Sequence, residues 1–151
     1  LIYAFDHPES IAGVISWNGI TNVDLFSDEQ KKEMRETGRS YVVNARTGQQ
    51  LPLDKEILDD IEANHDRFNI IERAKTATVP IILIQGTEDH QRLLVGSERL
   101  VQANPRIRWV KIDGGNHTFN AVHPFAGETK QLSEALRHTQ EAIRAMLKGA
   151  K

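Results

Sequence analysis

Cysteine is absent from the 151 residues. That excludes disulfides, a thiolate nucleophile and thiolate-ligated zinc, and it leaves the redox compartment open. An excess of one charge is missing too. Lys and Arg number 19 against 21 Asp and Glu, for a net charge of −2, so no broad basic surface invites nucleic acid. No apolar run is long enough to span a bilayer, so no membrane partner is expected. There is no initiator Met, and the opening Leu1-Ile2-Tyr3-Ala4-Phe5 has neither the basic start nor the small-residue cleavage site of a signal peptide. The chain reads as though entered partway through a helix, as a piece of something longer. The cytoplasm is the slightly favoured compartment. Also missing is an attacking hydroxyl in a recognisable setting. The serines are Ser10, Ser16, Ser27, Ser40, Ser97 and Ser133, and none lies in G-x-S-x-G, the sharp turn that exposes a nucleophile. Ser16 comes closest by neighbourhood, but it sits inside an expected strand, and Ser97 belongs to an expected helix start.

The length fits a single domain with enough chain to bury a core. Leu1–Phe5 looks like a helix end, stopped by Asp6-His7-Pro8 because the residue before a proline disfavours helix. Ile11–Ile20 is apolar and β-branched and reads as a buried strand. From Thr21 to Ala77 the composition turns polar. Ser27-Asp28-Glu29-Gln30 has the form of a capping box, which predicts a helix to about Thr37 with Gly38 as its stop. Asn44 to Pro52 reads as a loop. Leu53, Ile57, Leu58 and Ile61 fall at helical spacing through Ala63, and Phe68, Ile70, Ile71 and Ala74 suggest a further helical segment. Residues 21–77 read as a lid-like insertion over one end of a sheet, or as ordinary connecting helices.

The second half alternates cleanly. Val79–Gln85 is a predicted strand, Leu93–Ala103 an amphipathic helix and Ile107–Ile112 a strand. Leu132, Leu136, Ile143, Met146 and Leu147 lay an apolar stripe along a helix from about Thr129 to Lys148. Strand, helix, strand and helix at these lengths predict right-handed crossovers and a parallel sheet, an α/β fold.

Two strand ends carry candidate chemistry. One is Gly86-Thr87-Glu88-Asp89 and the other Gly114-Gly115-Asn116-His117. Open α/β sheets place their chemistry at the carboxyl ends of successive strands. From there, Asp89 can accept a hydrogen bond from an imidazole, fix its tautomer and stabilise the imidazolium. The plainer reading is a turn aspartate capping the next helix. His117 follows two glycines that permit backbone conformations a β-carbon would oppose, and a histidine so placed can shuttle a proton. The plainer reading is a polar surface residue. Glu88 and His90 read as solvated neighbours. A metal held by His117, His123 and Asp89 is a weaker alternative, since the spacing matches no known ligand signature. Phe119 and Phe125 flank the histidine loop and are candidates to line an acyl pocket. Trp17, Trp109, Phe119 and Phe125 read as core or pocket wall rather than as a nucleotide-stacking platform.

With these stretches in view, the chain resembles the C-terminal half of an α/β-hydrolase, of the dienelactone hydrolase and prolyl-oligopeptidase-like serine hydrolase group. The resemblance rests on Ile11–Ile20 (IAGVISWNGI), Val79–Asp89 (VPIILIQGTED) and Ile107–Phe125 (IRWVKIDGGNHTFNAVHPF). It implies a partial α/β-hydrolase fold, with parallel strands at about 11–20, 79–85 and 107–112. It also implies that Asp89 is the acid and His117 the base of a Ser-His-Asp triad, with no cofactor and no metal. The family's nucleophile elbow would precede residue 1, so the attacking serine is not in this chain. The implied substrate is an ester, lactone or peptide acyl group. The alternative is a non-catalytic truncated module that self-associates or binds a small ligand. Ile11–Ile20, central in the whole fold, would here form a sheet edge, which favours a homo-oligomer or pairing with a missing N-terminal half.

Overall fold

The computed structural model describes residues 1–45 and 47–149. In chain order its elements are α1 (Ile2–Asp6), a 3-10 turn (Pro8–Ser10), β1 (Val14–Trp17), α2 (Asp28–Thr37), β2 (Arg39–Val43), β3 (Gln50–Asp54), α3 (Glu56–Ala63), α4 (His65–Phe68), α5 (Ile70–Ala74), β4 (Ile81–Gly86), α6 (Gln91–Ala103), β5 (Arg108–Ile112) and α7 (Lys130–Gly149). They form two compact units. One comprises Leu1–Thr21 with the chain from Ile70 onward, and the other Asn22–Asn69.

In the first unit the sheet is parallel, in the order β1-β4-β5. All six residues of β4 are buried, which is why its sequence is a continuous apolar run rather than an alternation. One sheet face packs under α7. Ile82, Ile84 and Ile112 meet Phe119, Ala135 and Ala142 there, with Ile15, Val110, Leu132 and Met146 around them. The two alanines let the helix approach closely. Residues of the other parity in β4 (Ile81, Leu83 and Gln85) point to the opposite face. Leu93 and Leu100 of α6 are buried outside the α7 cluster. The Asn104 side chain ends α6 and donates to the carbonyls of Ala74 (2.8 Å) and Ala77 (3.2 Å), tying α5 to the helix end. Thr129 caps α7. Its hydroxyl accepts from the Leu132 N–H (3.0 Å) and donates to the Phe119 carbonyl (2.5 Å).

The strand expected over Ile11–Ile20 is shorter, Val14–Trp17, and only partly buried. Asn18 takes a positive φ of 45° and turns the chain out of the sheet, and among the described residues β1 has a strand neighbour on one side only. Ser97 lies in the middle of α6, buried, and not at its start.

In the second unit, α2 is built as the capping box requires. Ser27 Oγ accepts from the Gln30 N–H (3.2 Å), and Gln30 Oε1 accepts from the Ser27 N–H (3.0 Å). Gly38, at φ 85°, closes the helix in the left-handed conformation. The loop expected over Asn44 to Pro52 is corrected. Only its first part is a turn, and Gln50–Asp54 is a strand paired antiparallel with β2. Pro52 sits opposite Tyr41 in this two-stranded ribbon, where a strand has a free side and a missing N–H is tolerated. Leu53 therefore belongs to β3, and the helix it was expected to open starts at Glu56. Among the described residues no helix is long and apolar enough to cross a membrane.

Candidate functional site

The turns that leave β4 and β5 interlock at the carboxyl end of the sheet. The Thr87 N–H donates to the Ile112 carbonyl (3.0 Å), and the Glu88 N–H to the Gly115 carbonyl (2.9 Å). In return the Gly114 N–H donates to Thr87 Oγ1 (2.9 Å). The backbones approach so closely that a β-carbon on Gly86 would lie 2.0 Å from the Gly115 carbonyl oxygen. Gly114 takes φ 64°, a conformation open to glycine at no steric cost. This explains the glycines at both strand ends: they let one turn lie on the other.

The interlock brings Asp89 and His117 together. His117 Nδ1 lies 2.8 Å from Asp89 Oδ1. A carboxylate only accepts, so the imidazole carries its proton on Nδ1 and leaves Nε2 as the free acceptor. The Asp89 side chain is 0% exposed, whereas the His117 ring is 48% exposed. A buried carboxylate needs its oxygens satisfied, and here they are. Oδ1 also accepts from the His90 N–H (2.8 Å), and Oδ2 accepts from Gln85 Nε2 (2.8 Å). The acid is held from three directions while the base faces solvent. Such a pair can fix a tautomer, accept a proton on Nε2 and stabilise the resulting cation.

Two polar residues that sequence reasoning passed over complete the frame. Gln85 is the last side chain of β4 before Gly86 and is 1% exposed. Its amide nitrogen serves Asp89, and its buried Oε1 has no hydrogen-bond partner among the described residues. A glutamine inside an apolar strand was the available signal. Asn18, at the end of β1, accepts from the Gly86 N–H through Oδ1 (3.0 Å) and donates from Nδ2 to the His117 carbonyl (2.8 Å). It thus joins the ends of β1 and β4 to the histidine loop. That loop is braced from within by Asn116 Oδ1, which accepts from the Thr118 N–H (2.9 Å) and the Asn120 N–H (2.8 Å).

The other sequence candidates fall elsewhere. Phe119 is a core residue at 2% exposure, packed edge-on against Trp17 with ring centroids 5.3 Å apart. Its ring belongs to the cluster under α7, as the core reading of this residue expects. Phe125 is 66% exposed. His123 does not join Asp89 and His117. The residue that does is His90, whose ring centroid is 5.2 Å from that of His117. Ser16 Oγ lies against Gly19, and among the described residues no serine hydrogen-bonds His117.

No family model matches the sequence, and no curated protein does. Solved structures do. A protein of Agrobacterium vitis S4 assigned as a hydrolase aligns over 96% of this chain and 56% of its own, with a TM-score of 0.56 and 15% identity. The fold is a partial α/β-hydrolase fold. The esterase domain of a Rhodothermus marinus protein aligns over 79% of this chain and 48% of its own, at TM-score 0.49 and 18% identity. The chain thus spans about half the length of the structures it matches.

Proposed function

We propose that this chain carries the acid–base half of a serine-hydrolase active site, of the dienelactone hydrolase and prolyl-oligopeptidase-like group, acting on an ester, lactone or peptide acyl bond. The contact between His117 Nδ1 and the fully buried Asp89 carboxylate, at 2.8 Å, carries this reading. Asp89 holds the ring in the tautomer that leaves Nε2 free. Nε2 removes the proton from an attacking hydroxyl, the buried carboxylate stabilises the imidazolium, and the proton passes to the leaving group. The hydroxyl and the oxyanion donors come from residues outside these 151. The partial fold, its position at the carboxyl ends of parallel strands, and the solvent-facing imidazole all support this division of labour.

Two preparations test it. The isolated chain is expected to resist stoichiometric labelling by a fluorophosphonate probe and to turn over p-nitrophenyl acetate no faster than free imidazole. The product of the full genomic reading frame, with whatever sequence lies upstream of Leu1, is expected to be labelled once. Its ester turnover should fall on the order of 10⁶-fold with His117→Ala. A full-frame product that takes no label, or whose turnover ignores His117→Ala, would instead favour the non-catalytic module.

A further inference from the structure

We propose that Asp89, His90 and His117 form a binding site for a single zinc ion, built from one carboxylate oxygen and two imidazole nitrogens. The three side chains each offer a ligand atom, and these atoms lie within 4.8 Å of one another. Two nitrogens on a tetrahedral zinc are separated by about 3.3 Å when each bond is about 2.0 Å. The widest separation therefore needs to close by up to about 1.5 Å, while Asp89 Oδ1 and His117 Nδ1, 2.8 Å apart, need to open slightly. His90 and His117 are exposed, while Asp89 is fixed by Gln85 and by the His90 N–H. His90 occupies the N-cap position of α6, yet its side chain makes no capping bond. Its ring packs against that of His117 instead. Two imidazoles with one carboxylate suit zinc better than magnesium or calcium, which prefer all-oxygen sets.

The ion takes the place of a proton. In the metal-free pair His117 carries its hydrogen on Nδ1, against Asp89 Oδ1. When zinc bonds to both atoms, that proton moves through solvent to Nε2, so the ring stays neutral and no net proton is released. The ring nitrogen that faced solvent as an acceptor becomes a donor. Binding does not depend on the hydrolase reading. Only its consequence does: with Nε2 protonated, His117 cannot take a proton from a hydroxyl, and zinc switches the base off.

The test is calorimetric titration of the purified chain with zinc chloride, paired with ¹⁵N–¹H spectra of its histidines. One ion per chain is expected, and His117 should change from the Nδ1–H to the Nε2–H pattern at saturation. His90→Ala, which removes a ligand, should weaken binding by at least about 10- to 100-fold, the loss that an outer-shell partner alone costs. His65→Ala and His123→Ala should leave it unchanged, and circular dichroism checks that each variant folds. Absence of saturable binding up to millimolar zinc would overturn the proposal. So would indifference to His90→Ala, or an unaltered His117 tautomer. Because none of these readouts uses turnover, failure here is distinct from failure of the hydrolase reading.

Discussion

Gly86 shows how little room the site leaves. A methyl at this position meets backbone, the Gly115 carbonyl oxygen, and no flexible side chain can yield to it. Gly86→Ala is expected to push the histidine turn off the β4 turn and to cost about 1–3 kcal/mol, as overpacking typically does. Urea unfolding gives the energy, and loss of the hydrogen-bonded Nδ1 proton of His117 in NMR reports the geometry. Gln85 acts at the same scale by another route. It is the sole side chain among the described residues to bond Asp89 Oδ2. Gln85→Leu fits the apolar strand but strips a donor from a buried carboxylate. A bond to a charged group contributes about 1.5–3 kcal/mol, but the same change also removes the unpartnered Oε1. The expected net loss is therefore about 1–2 kcal/mol. It should come with weaker ordering of the His117 ring, which Gln85 does not itself touch.

Among the elements, α2 is the one whose stability is most clearly local. Its capping box satisfies two backbone donors reciprocally, and Ser27→Ala is expected to cost about 1 kcal/mol, measured as a lower urea midpoint for the second unit. The Glu29 carboxyl, in the first turn, is held below the usual carboxylate range, first by its backbone hydrogen bond and then by Ser27. A depressed acid favours the folded form above its unfolded pKa and loses that advantage as the pH falls through the folded one. The contribution of Glu29 to the helix should thus fade in acid. In the other unit, α7 holds the sheet through its two buried alanines, but its flank overhangs. Leu136, Ile143 and Leu147 are 39%, 45% and 62% exposed. They lie on the side of the helix that also carries Thr139, whose hydroxyl meets the Trp17 indole at 2.9 Å. The bond sets Thr139 against Trp17 of β1.

At the scale of the whole molecule, the edge of β1, unpaired among the described residues, and the apolar flank of α7 are both left open, and self-association through them is the expected behaviour. Light scattering over a range of concentrations should show growth in mass that Ile143→Lys with Leu147→Lys reduces. A mass that stays monomeric throughout would contradict it. The same edge bears on activity. On the proposed reading, the sheet positions an acid and a base, and the attacking hydroxyl and its oxyanion donors are supplied from elsewhere. The acid–base pair can thus be complete while the reaction is not.

Sequence alone determined whatever depends on neighbours along the chain. The buried run of β4, the capping box of α2, the stripe of α7, and the spacing of Gly86–Asp89 against Gly114–His117 are all local patterns read directly by the 3.6- and 2-residue periods and by turn chemistry. Tertiary structure decided what depends on partners far away in sequence. Asn18 finds the Gly86 N–H and the His117 carbonyl across 68 and 99 residues. His90, not His123, meets His117, because the β4 turn and the β5 turn are laid on one another. Phe119 is drawn into the core by α7. Pro52 sits in a strand because β3 has a free side. Periodicity records which face of an element is buried, but only the folded chain fixes which polar atoms meet there.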